Sequence, residues 1–284
     1  MKFEKEKNRL LEIIKGLRTK RCGEKDSIEI IRELGDMKIV SIRTEEVLLS
    51  QRRKMLHEKI IRIDGGRVNV YLVLNGSNSI LIDAGIKGKA QKILDIARAS
   101  GCSPEDIAII IVTHTHYDHC GSLAELKSKT GARILVHESE APSLEQGYKV
   151  MPKGTLMYSR VLSSVGNRIL PKKWTSYPPV KADMEIGDRH ALENFGIEGE
   201  VLHTPGHTAG SLCFVFEREH VFVGDTAFHI RENSAFPPFA DDIQSLLQSW
   251  KKLLDGNYAY FYPGHGTPFR RDVLEKTYRK YIKR

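Results

Sequence analysis

The chain has 284 residues and a formal net charge of +8 at pH 7, with 40% hydrophobic and 28% charged residues, which is ordinary for a globular protein. The first ten residues are too charged for the apolar core of a secretory signal, so we expect none, and the longest aliphatic stretch, Ile107–Val112, is too short to span a membrane. The four cysteines are scattered and include no C-x-x-C pair, which argues against a disulfide framework or a zinc finger. We therefore expect a soluble, cytoplasmic protein with reduced thiols.

Basic residues are concentrated at the two ends of the chain. Residues 1–64 carry 17 Lys and Arg against 12 Asp and Glu, and residues 266–284 carry 7 against 2. Such ends could contact nucleic acid or another acidic surface. Mixed charges at helical spacing are more typical of a solvated face, so we do not expect a nucleic-acid partner.

Residues 1–57 are predicted to form a mostly helical N-terminal extension. Apolar residues recur at helical spacing between Leu10 and Leu17, and a second apolar group ends before Gly35. A strand-like stretch, Met37–Leu49, follows.

An α/β layered domain is predicted over residues 58–284. Short β-branched runs separated by Gly65-Gly66 and Asn75-Gly76 indicate strands joined by tight turns. Strands then alternate with helices through two comparable halves, which is typical of this fold class. The predicted strands are Ile60–Ile63, Val68–Leu74, Ile80–Ile82, Ile107–Val112, Ile134–Val136, Glu198–Leu202, Ser211–Phe216, His220–Val223 and Tyr258–Tyr262, and the predicted helices are Lys89–Ala99, Leu123–Lys129 and Ile243–Leu254.

Residues 138–182 interrupt this alternation. The segment contains five prolines and several aromatic residues and shows no strand pattern. Long irregular insertions in compact domains are often lids over binding sites. We therefore treat Tyr148, Tyr158, Trp174 and Tyr177 as candidate lid residues that cover a substrate. The alternative is a surface excursion whose aromatic side chains pack on the core.

Four potential metal ligands lie within six residues after the strand Ile107–Val112. His114 and His116 are two positions apart in an extended segment, so their side chains project to the same side. Asp118 and His119 follow at a predicted helix start, and their side chains can bind a metal ion at a second position nearby. Imidazole and carboxylate together suit zinc, iron or manganese.

Three further candidates follow other predicted strands at glycine-containing turns, which let the backbone approach a site closely. They are His207 in Pro-Gly-His-Thr, Asp225 in Gly-Asp-Thr and His265 in Pro-Gly-His-Gly. Core packing does not explain this repeated placement. We therefore predict that all seven side chains meet at one metal-binding site.

These motifs together resemble the complete ligand set of the metallo-β-lactamase superfamily, and Leu81-Ile-Asp83-Ala-Gly85 resembles its early strand-turn signature. The resemblance covers residues 58–270. It implies an αββα four-layer sandwich, in which helices flank two central sheets and the site lies at one edge. It also implies two divalent metal ions as cofactors, with zinc expected first and iron or manganese as alternatives.

The resemblance also gives each residue a role. His114, His116 and His207 would hold the first ion, Asp118, His119 and His265 the second, and Asp225 would bridge the two. Asp83 would orient a ligand histidine. Apart from the resemblance, we expect Asp118, a ligand with a free carboxylate oxygen, to be the catalytic residue that accepts a proton during the reaction.

Differences from individual branches of the superfamily narrow the expected activity. Asp225 stands where its β-lactamases have cysteine or no bridging ligand, and His116 stands where flavodiiron oxygen reductases have glutamate. Phe228 stands where quorum-quenching lactonases have tyrosine. Glyoxalase II has the same ligands but also a helical glutathione-binding domain, whereas this sequence ends 19 residues after His265. We therefore expect neither antibiotic hydrolysis nor glutathione thioester specificity.

The function predicted from the sequence is hydrolysis of a thioester, ester or lactone bond in a small molecule by a metal-bridging hydroxide. A mononuclear iron persulfide dioxygenase with an overlapping ligand set is one alternative, and a nuclease of the same superfamily is another. A non-catalytic binding module would be expected to have lost ligands, and none is lost here. The oligomeric state stays open, with a homodimer as one option.

Overall fold

The computed structural model of the chain describes residues 59–169 and 171–283, so the predicted helical extension over 1–57 lies outside the described residues. Twelve strands and seven α-helices form within these ranges. The strands are β1 Ile60–Asp64, β2 Asn69–Val73, β3 Ser79–Ile82, β4 Ile107–Ile111, β5 Arg133–His137, β6 Met184–Ile186, β7 Arg189–Ala191, β8 Gly199–His203, β9 Leu212–Phe216, β10 His220–Gly224, β11 Tyr260–Pro263 and β12 Phe269–Arg270. The helices are α1 Ala90–Ala99, α2 Tyr117–Cys120, α3 Leu123–Thr130, α4 Ala141–Gln146, α5 Met157–Ile169, α6 Ile243–Asp255 and α7 Arg271–Tyr281.

The strands form two six-stranded sheets that divide the sequence in half. The first sheet has the order β1-β2-β3-β4-β5-β6, and the second has the order β12-β11-β10-β9-β8-β7. In the first sheet, β3, β4, β5 and β6 run parallel, and β4 lies between β3 and β5. In the second sheet, β10 and β11 are the parallel pair. Parallel neighbours bring the residues after their carboxyl ends to one edge of a sheet.

The helices cover the outer faces of the two sheets. α1 buries Ala90, Ile93, Leu94 and Ala97 at helical spacing, in a core that includes residues of β2, β3 and β4. On the other side, Leu246, Trp250 and Leu253 of α6 lie in a core with residues of β9, β10 and β11.

Aromatic side chains join the inner faces of the sheets. Tyr71 of β2 lies edge-to-face against Phe222 of β10, with 5.3 Å between ring centroids, and its hydroxyl donates a 2.9 Å hydrogen bond to the Pro263 carbonyl. A buried tyrosine usually finds such a partner for its hydroxyl. The architecture is therefore the predicted αββα sandwich. Within the described ranges, every helix is too short or too polar to cross a membrane.

The insertion over residues 138–182 is more regular than its sequence indicates. It contains α4 and α5, so the expectation of an irregular segment is wrong. α5 buries Ser159 and Ser163 rather than large apolar residues, whereas Val161 and Val165 are exposed. The spacing of the apolar residues therefore does not indicate which face of the helix is buried. For this reason the helix is hard to recognise from the sequence.

Candidate metal centre

The first four predicted ligands follow β4: His114 and His116 lie in the turn after the strand, and Asp118 and His119 lie in α2. Asp83, the residue after β3, forms hydrogen bonds with both of these segments. Its carboxylate accepts hydrogen bonds from the backbone N–H of Thr113 at 2.8 Å and from the Thr113 hydroxyl at 2.9 Å. Nδ1 of His119 donates to the same carboxylate at 2.7 Å. Asp83 thus connects the start of the turn to α2, and Nδ1 of His119 is engaged away from the other candidate ligands.

The other three predicted ligands belong to the second sheet. His207 lies in the loop after β8, Asp225 directly follows β10, and His265 lies just after β11. The residue before His265 must be a glycine because its backbone lies close to Asp225. A Cβ at Gly264 would be only 2.5 Å from Oδ1 of Asp225. The two sheets thus bring their ligand-bearing loops to one edge.

His114, His116 and His207 form the first group of candidate ligands. Their side chains are buried, and one nitrogen of each lies within 4.8 Å of the others. Nε2 of His207 lies 3.1 Å from Nδ1 of His116. Two ligands of a tetrahedral zinc ion are about 3.3 Å apart when each bond is about 2.0–2.1 Å. The spacing therefore fits a metal ion of this size.

Asp118, His119 and His265 form the second group, again with ligand atoms within 4.8 Å of one another. Nε2 of His265 lies 3.5 Å from Oδ2 of Asp118. The side chains of Asp118 and His265 are 15% and 18% exposed, so this group is the one that solvent reaches.

Asp225 lies between the two groups. Its Oδ2 is 3.4 Å from Nε2 of His207 and 3.4 Å from Nε2 of His265, and its Oδ1 is 3.4 Å from Nε2 of His119. His114 and His119 also form a possible three-ligand set with Asp225. A carboxylate placed in this way can contact ions in both groups.

Burial and neighbouring charges set the ionisation of these side chains. Burial is the main cause that lowers the pKa of His114 and His116 well below 6.5 and also lowers the pKa of His207. Burial opposes protonation of His265 as well, but Asp225 and Asp118 outweigh it and raise that pKa. The first group is therefore held as neutral imidazole, which is the form that binds a metal ion.

Several polar atoms of the site have no partner of their own. Nε2 of His114, Nε2 of His119 and Oδ1 of Asp225 are buried without a hydrogen-bond partner in the part of the chain that the structure describes. Buried polar atoms are normally paired, because an unpaired one costs about 1–3 kcal/mol. A cluster of such atoms, all of them possible metal donors, fits a site that binds cations.

A buried ion pair that the sequence does not predict, Glu140 with Lys149, lies behind the first group. Glu140 is fully buried and accepts a 3.0 Å hydrogen bond from the backbone N–H of Thr115 and another from its hydroxyl. Lys149 donates to Glu140 at 2.6 Å. Neither residue belongs to a histidine motif, and only their burial distinguishes them from the other charged residues of the chain.

The four candidate lid residues occupy different environments. Tyr177 is 4% exposed and lies in the core of the first sheet, where its hydroxyl donates to the Ser143 carbonyl at 3.0 Å. Trp174 is 63% exposed, and Tyr148 lies beneath the ammonium group of Lys172. Tyr158 is 56% exposed and lines a cleft of about 170 Å³.

This cleft is separated from the metal centre by one aromatic ring. The ring of Phe228 stacks on the imidazole of His265, with 4.8 Å between centroids, and also lines the cleft. The other lining residues include Ile230, Arg231, Phe236 and Tyr281. The cleft is thus lined by aliphatic and aromatic side chains together with polar ones, and it adjoins the more exposed ligand group.

A family model confirms the resemblance proposed from the motifs. Residues 63–265 match the model described as "Metallo-beta-lactamase superfamily", and the matched range contains all seven candidate ligands. The chain belongs to the metallo-beta-lactamase superfamily.

Two curated proteins are similar in sequence to most of this chain. The lactamase-like protein aptB of Emericella nidulans is 28% identical in an alignment of 235 residues that covers 80% of this chain and 62% of that protein. This chain therefore spans less than two thirds of that relative. The acyl-coenzyme A thioesterase MBLAC2 of Gallus gallus is 26% identical over 232 residues, covering 77% of this chain and 79% of the relative.

Solved structures of the metallo-beta-lactamase superfamily share the fold. One is the superfamily protein ST1585 from Sulfolobus tokodaii, with a TM-score of 0.58 and 18% identity over 78% of this chain and 86% of that one. The likeness concerns the fold alone. The site residues of the present chain are therefore argued from its own geometry.

Proposed function

We propose that this member of the superfamily is a binuclear metal-dependent hydrolase that cleaves an acyl thioester, with ester and lactone bonds as the nearest other substrates. The proposal depends on one observation above all: seven side chains from both sheets converge, and several of their buried donor atoms have no partner in the described ranges. His114, His116 and His207 would hold one ion, and Asp118, His119 and His265 the other. Asp225 would contact both ions.

Zinc is the ion we propose first, because the donors are imidazole and carboxylate groups and the ligand spacing suits it. Bound divalent ions supply a hydroxide nucleophile at neutral pH and polarise a carbonyl oxygen. Asp118 would accept the proton released in this reaction and pass it to the leaving group. Its placement supports this role, since it is among the ligand side chains that solvent reaches.

The substrate side of the proposal relies on the cleft next to Phe228. An acyl chain in this cleft would contact Tyr158, Ile230 and Phe236 while its carbonyl end reaches the second ligand group beyond Phe228. Tyr158 comes from the insertion, so part of the insertion would act as a substrate lid. Tyr177 is a core residue and takes no part in this proposal.

The choice of a thioester is supported by the relative named as an acyl-coenzyme A thioesterase, which aligns over 77% of this chain. A thiolate also leaves more readily than an alkoxide, so a single proton carrier such as Asp118 suffices. A small-molecule substrate is expected on both grounds. We propose no nucleic-acid substrate.

The test is a substrate screen with the purified chain loaded separately with Zn, Mn and Fe. Acyl thioesters of increasing chain length, matched oxygen esters and lactones are compared with phosphodiesters, RNA and glutathione persulfide. The proposal predicts that His116→Ala loses thioester turnover. Glu138→Gln, a control at an exposed residue, should keep it. Oxygen uptake with the persulfide at one iron per chain would instead identify a dioxygenase, and salt-sensitive RNA cleavage would identify a nuclease.

A further inference from the structure

A single buried carboxylate lies behind the histidines of the first ligand group. Glu140, at the start of α4, is 0% exposed. Its Oε2 accepts the backbone N–H of Thr115 at 3.0 Å and also the Thr115 hydroxyl. Thr115 stands between His114 and His116, so these two bonds fix the peptide that carries both histidines.

The same carboxylate also reaches the loop that carries His207. Thr208, the next residue, is among the groups that lower the pKa of Glu140. Two residues further on, Gly210 packs so closely that a Cβ there would lie 2.6 Å from Cγ of Glu140. Glu140 therefore contacts both segments that supply the first group, one from each sheet, without being a candidate ligand itself.

Lys149 completes this arrangement from the insertion. Its Nζ lies 2.6 Å from Oε1 of Glu140, and its side chain is only 16% exposed. A buried carboxylate is stable only when it is paired and its remaining lone pairs are occupied. With Lys149 on one oxygen and Thr115 on the other, Glu140 has one well-defined position.

We propose that Glu140, with Lys149 as its counter-ion, is a positioning residue that sets the affinity of the first ligand group for its metal ion. Asp83 acts in the corresponding way on the second group, through Thr113 and His119. The inference rests on the metal centre of the proposed function but not on the thioester chemistry. Its test therefore measures metal binding, so that a failed substrate screen and a failed positioning role give different results.

The test is a competition titration of the full chain, freed of metal, with Zn²⁺ and Co²⁺ against a chromophoric chelator. Glu140→Gln keeps the size of the side chain and removes its charge. Glu138→Gln is the matched control, because Glu138 is exposed and only two residues away. We expect Glu140→Gln to bind one of the two ions about 10–100 times more weakly, the usual effect of losing an outer partner of a ligand. The control should bind both ions like the parent.

The Co²⁺ spectrum identifies which ion is affected. At one equivalent, the visible spectrum of Glu140→Gln should match that of His116→Ala, in which the first group is incomplete, and not that of Asp83→Asn. The double variant Glu140→Gln with Lys149→Met, which leaves no unpaired buried charge, should show the same selective loss. Unchanged affinity for both ions, equal weakening of both, or failure of both variants to fold would overturn the proposal and make Glu140 an ordinary structural residue.

Discussion

Nδ1 of His207 donates a 3.0 Å hydrogen bond to the carbonyl oxygen of Phe239, and this bond turns Nε2 of the same ring toward His116 and Asp225. Because a carbonyl can only accept, Nδ1 carries the proton and Nε2 is the nitrogen available to a metal ion. Phe239 also forms an antiparallel bridge with Gly154 of the insertion. The insertion is thus bonded to the segment that orients a candidate ligand.

Shortening an apolar side chain that lines the cleft beside Phe228 should weaken the binding of long acyl substrates. Ile230→Ala should raise KM for long acyl thioesters roughly fivefold, or about 1 kcal/mol, with little change in kcat, because the lost contact binds the chain rather than the reacting bond. Steady-state kinetics over a chain-length series measures this. Met157→Ala is the control, since Met157 is 86% exposed and is not among the residues that line the cleft. Equal effects of the two changes would remove the cleft from the proposal.

Asp118 should be required for turnover beyond its part in metal binding. Asp118→Asn keeps an oxygen donor but cannot accept a proton, so kcat should fall by roughly 10²- to 10⁴-fold, the range of general acid–base catalysis. Metal content, measured on the same samples, separates a chemical defect from loss of an ion. Full activity in a metal-replete Asp118→Asn protein would exclude the proton-accepting role.

Asp83 should control the second ligand group through His119. Asp83→Asn removes the negative charge that Nδ1 of His119 contacts at 2.7 Å, and affinity for one ion should fall by roughly 10- to 100-fold. A chelator competition assay measures the change. Asp95→Asn offers a control on the exposed face of α1, where, among the described residues, the carboxylate pairs with the exposed side chains of Gln91 and Arg98.

Gly264 should tolerate no side chain. A Cβ there would lie 2.5 Å from Oδ1 of Asp225 and 2.9 Å from Cε1 of His119, so Gly264→Ala must displace two candidate ligands. We expect the metal content to drop, together with a loss of stability of roughly 1–3 kcal/mol, as for other overpacked sites. Gly187→Ala is the matched control, because a Cβ at Gly187 would lie more than 4 Å from every heavy atom of the non-neighbouring described residues. Metal analysis and thermal unfolding of both variants give the comparison.

The Glu140–Lys149 pair should make the metal-free protein sensitive to acid. Although burial opposes it, Lys149 and the Thr115 and Thr208 hydrogen bonds lower the pKa of Glu140 from 4.5 to about 2. A lowered folded-state pKa stabilises the fold above pH 4.5 and loses that contribution as the pH falls toward 2. The loss amounts to about 3 kcal/mol at 1.36 kcal/mol per pKa unit. Denaturant unfolding of the metal-free parent at several pH values should show this decline, and Glu140→Gln should show a smaller one.

The layers of the fold and the ligand-bearing turns could be predicted because they depend on local patterns. The apolar period of α1 matches its buried face, and the aliphatic run of β4 matches a strand buried between two parallel neighbours. The turns after β4, β10 and β11 carry polar residues and glycines at positions that packing does not require. These features are visible in a single sequence.

Other features could not be predicted because they depend on contacts between distant segments. Strands β6, β7 and β12 have two or three residues each, too few to show a period. α5 buries serines, so its apolar residues mark the exposed face. Glu140 and Lys149 resemble surface residues in the sequence, and only the packing of the Thr208–Gly210 loop shows that Glu140 is enclosed.

Each candidate ion would be shared between the two halves of the sandwich. The first group combines two histidines after β4 with His207 after β8, and the second combines Asp118 and His119 with His265 after β11. A cut in the exposed connection between β6 and β7 would therefore yield two fragments, neither of which carries a full set of donors. Added metal would then favour their reassociation by mass action, and the apparent affinity for the ion would rise with fragment concentration.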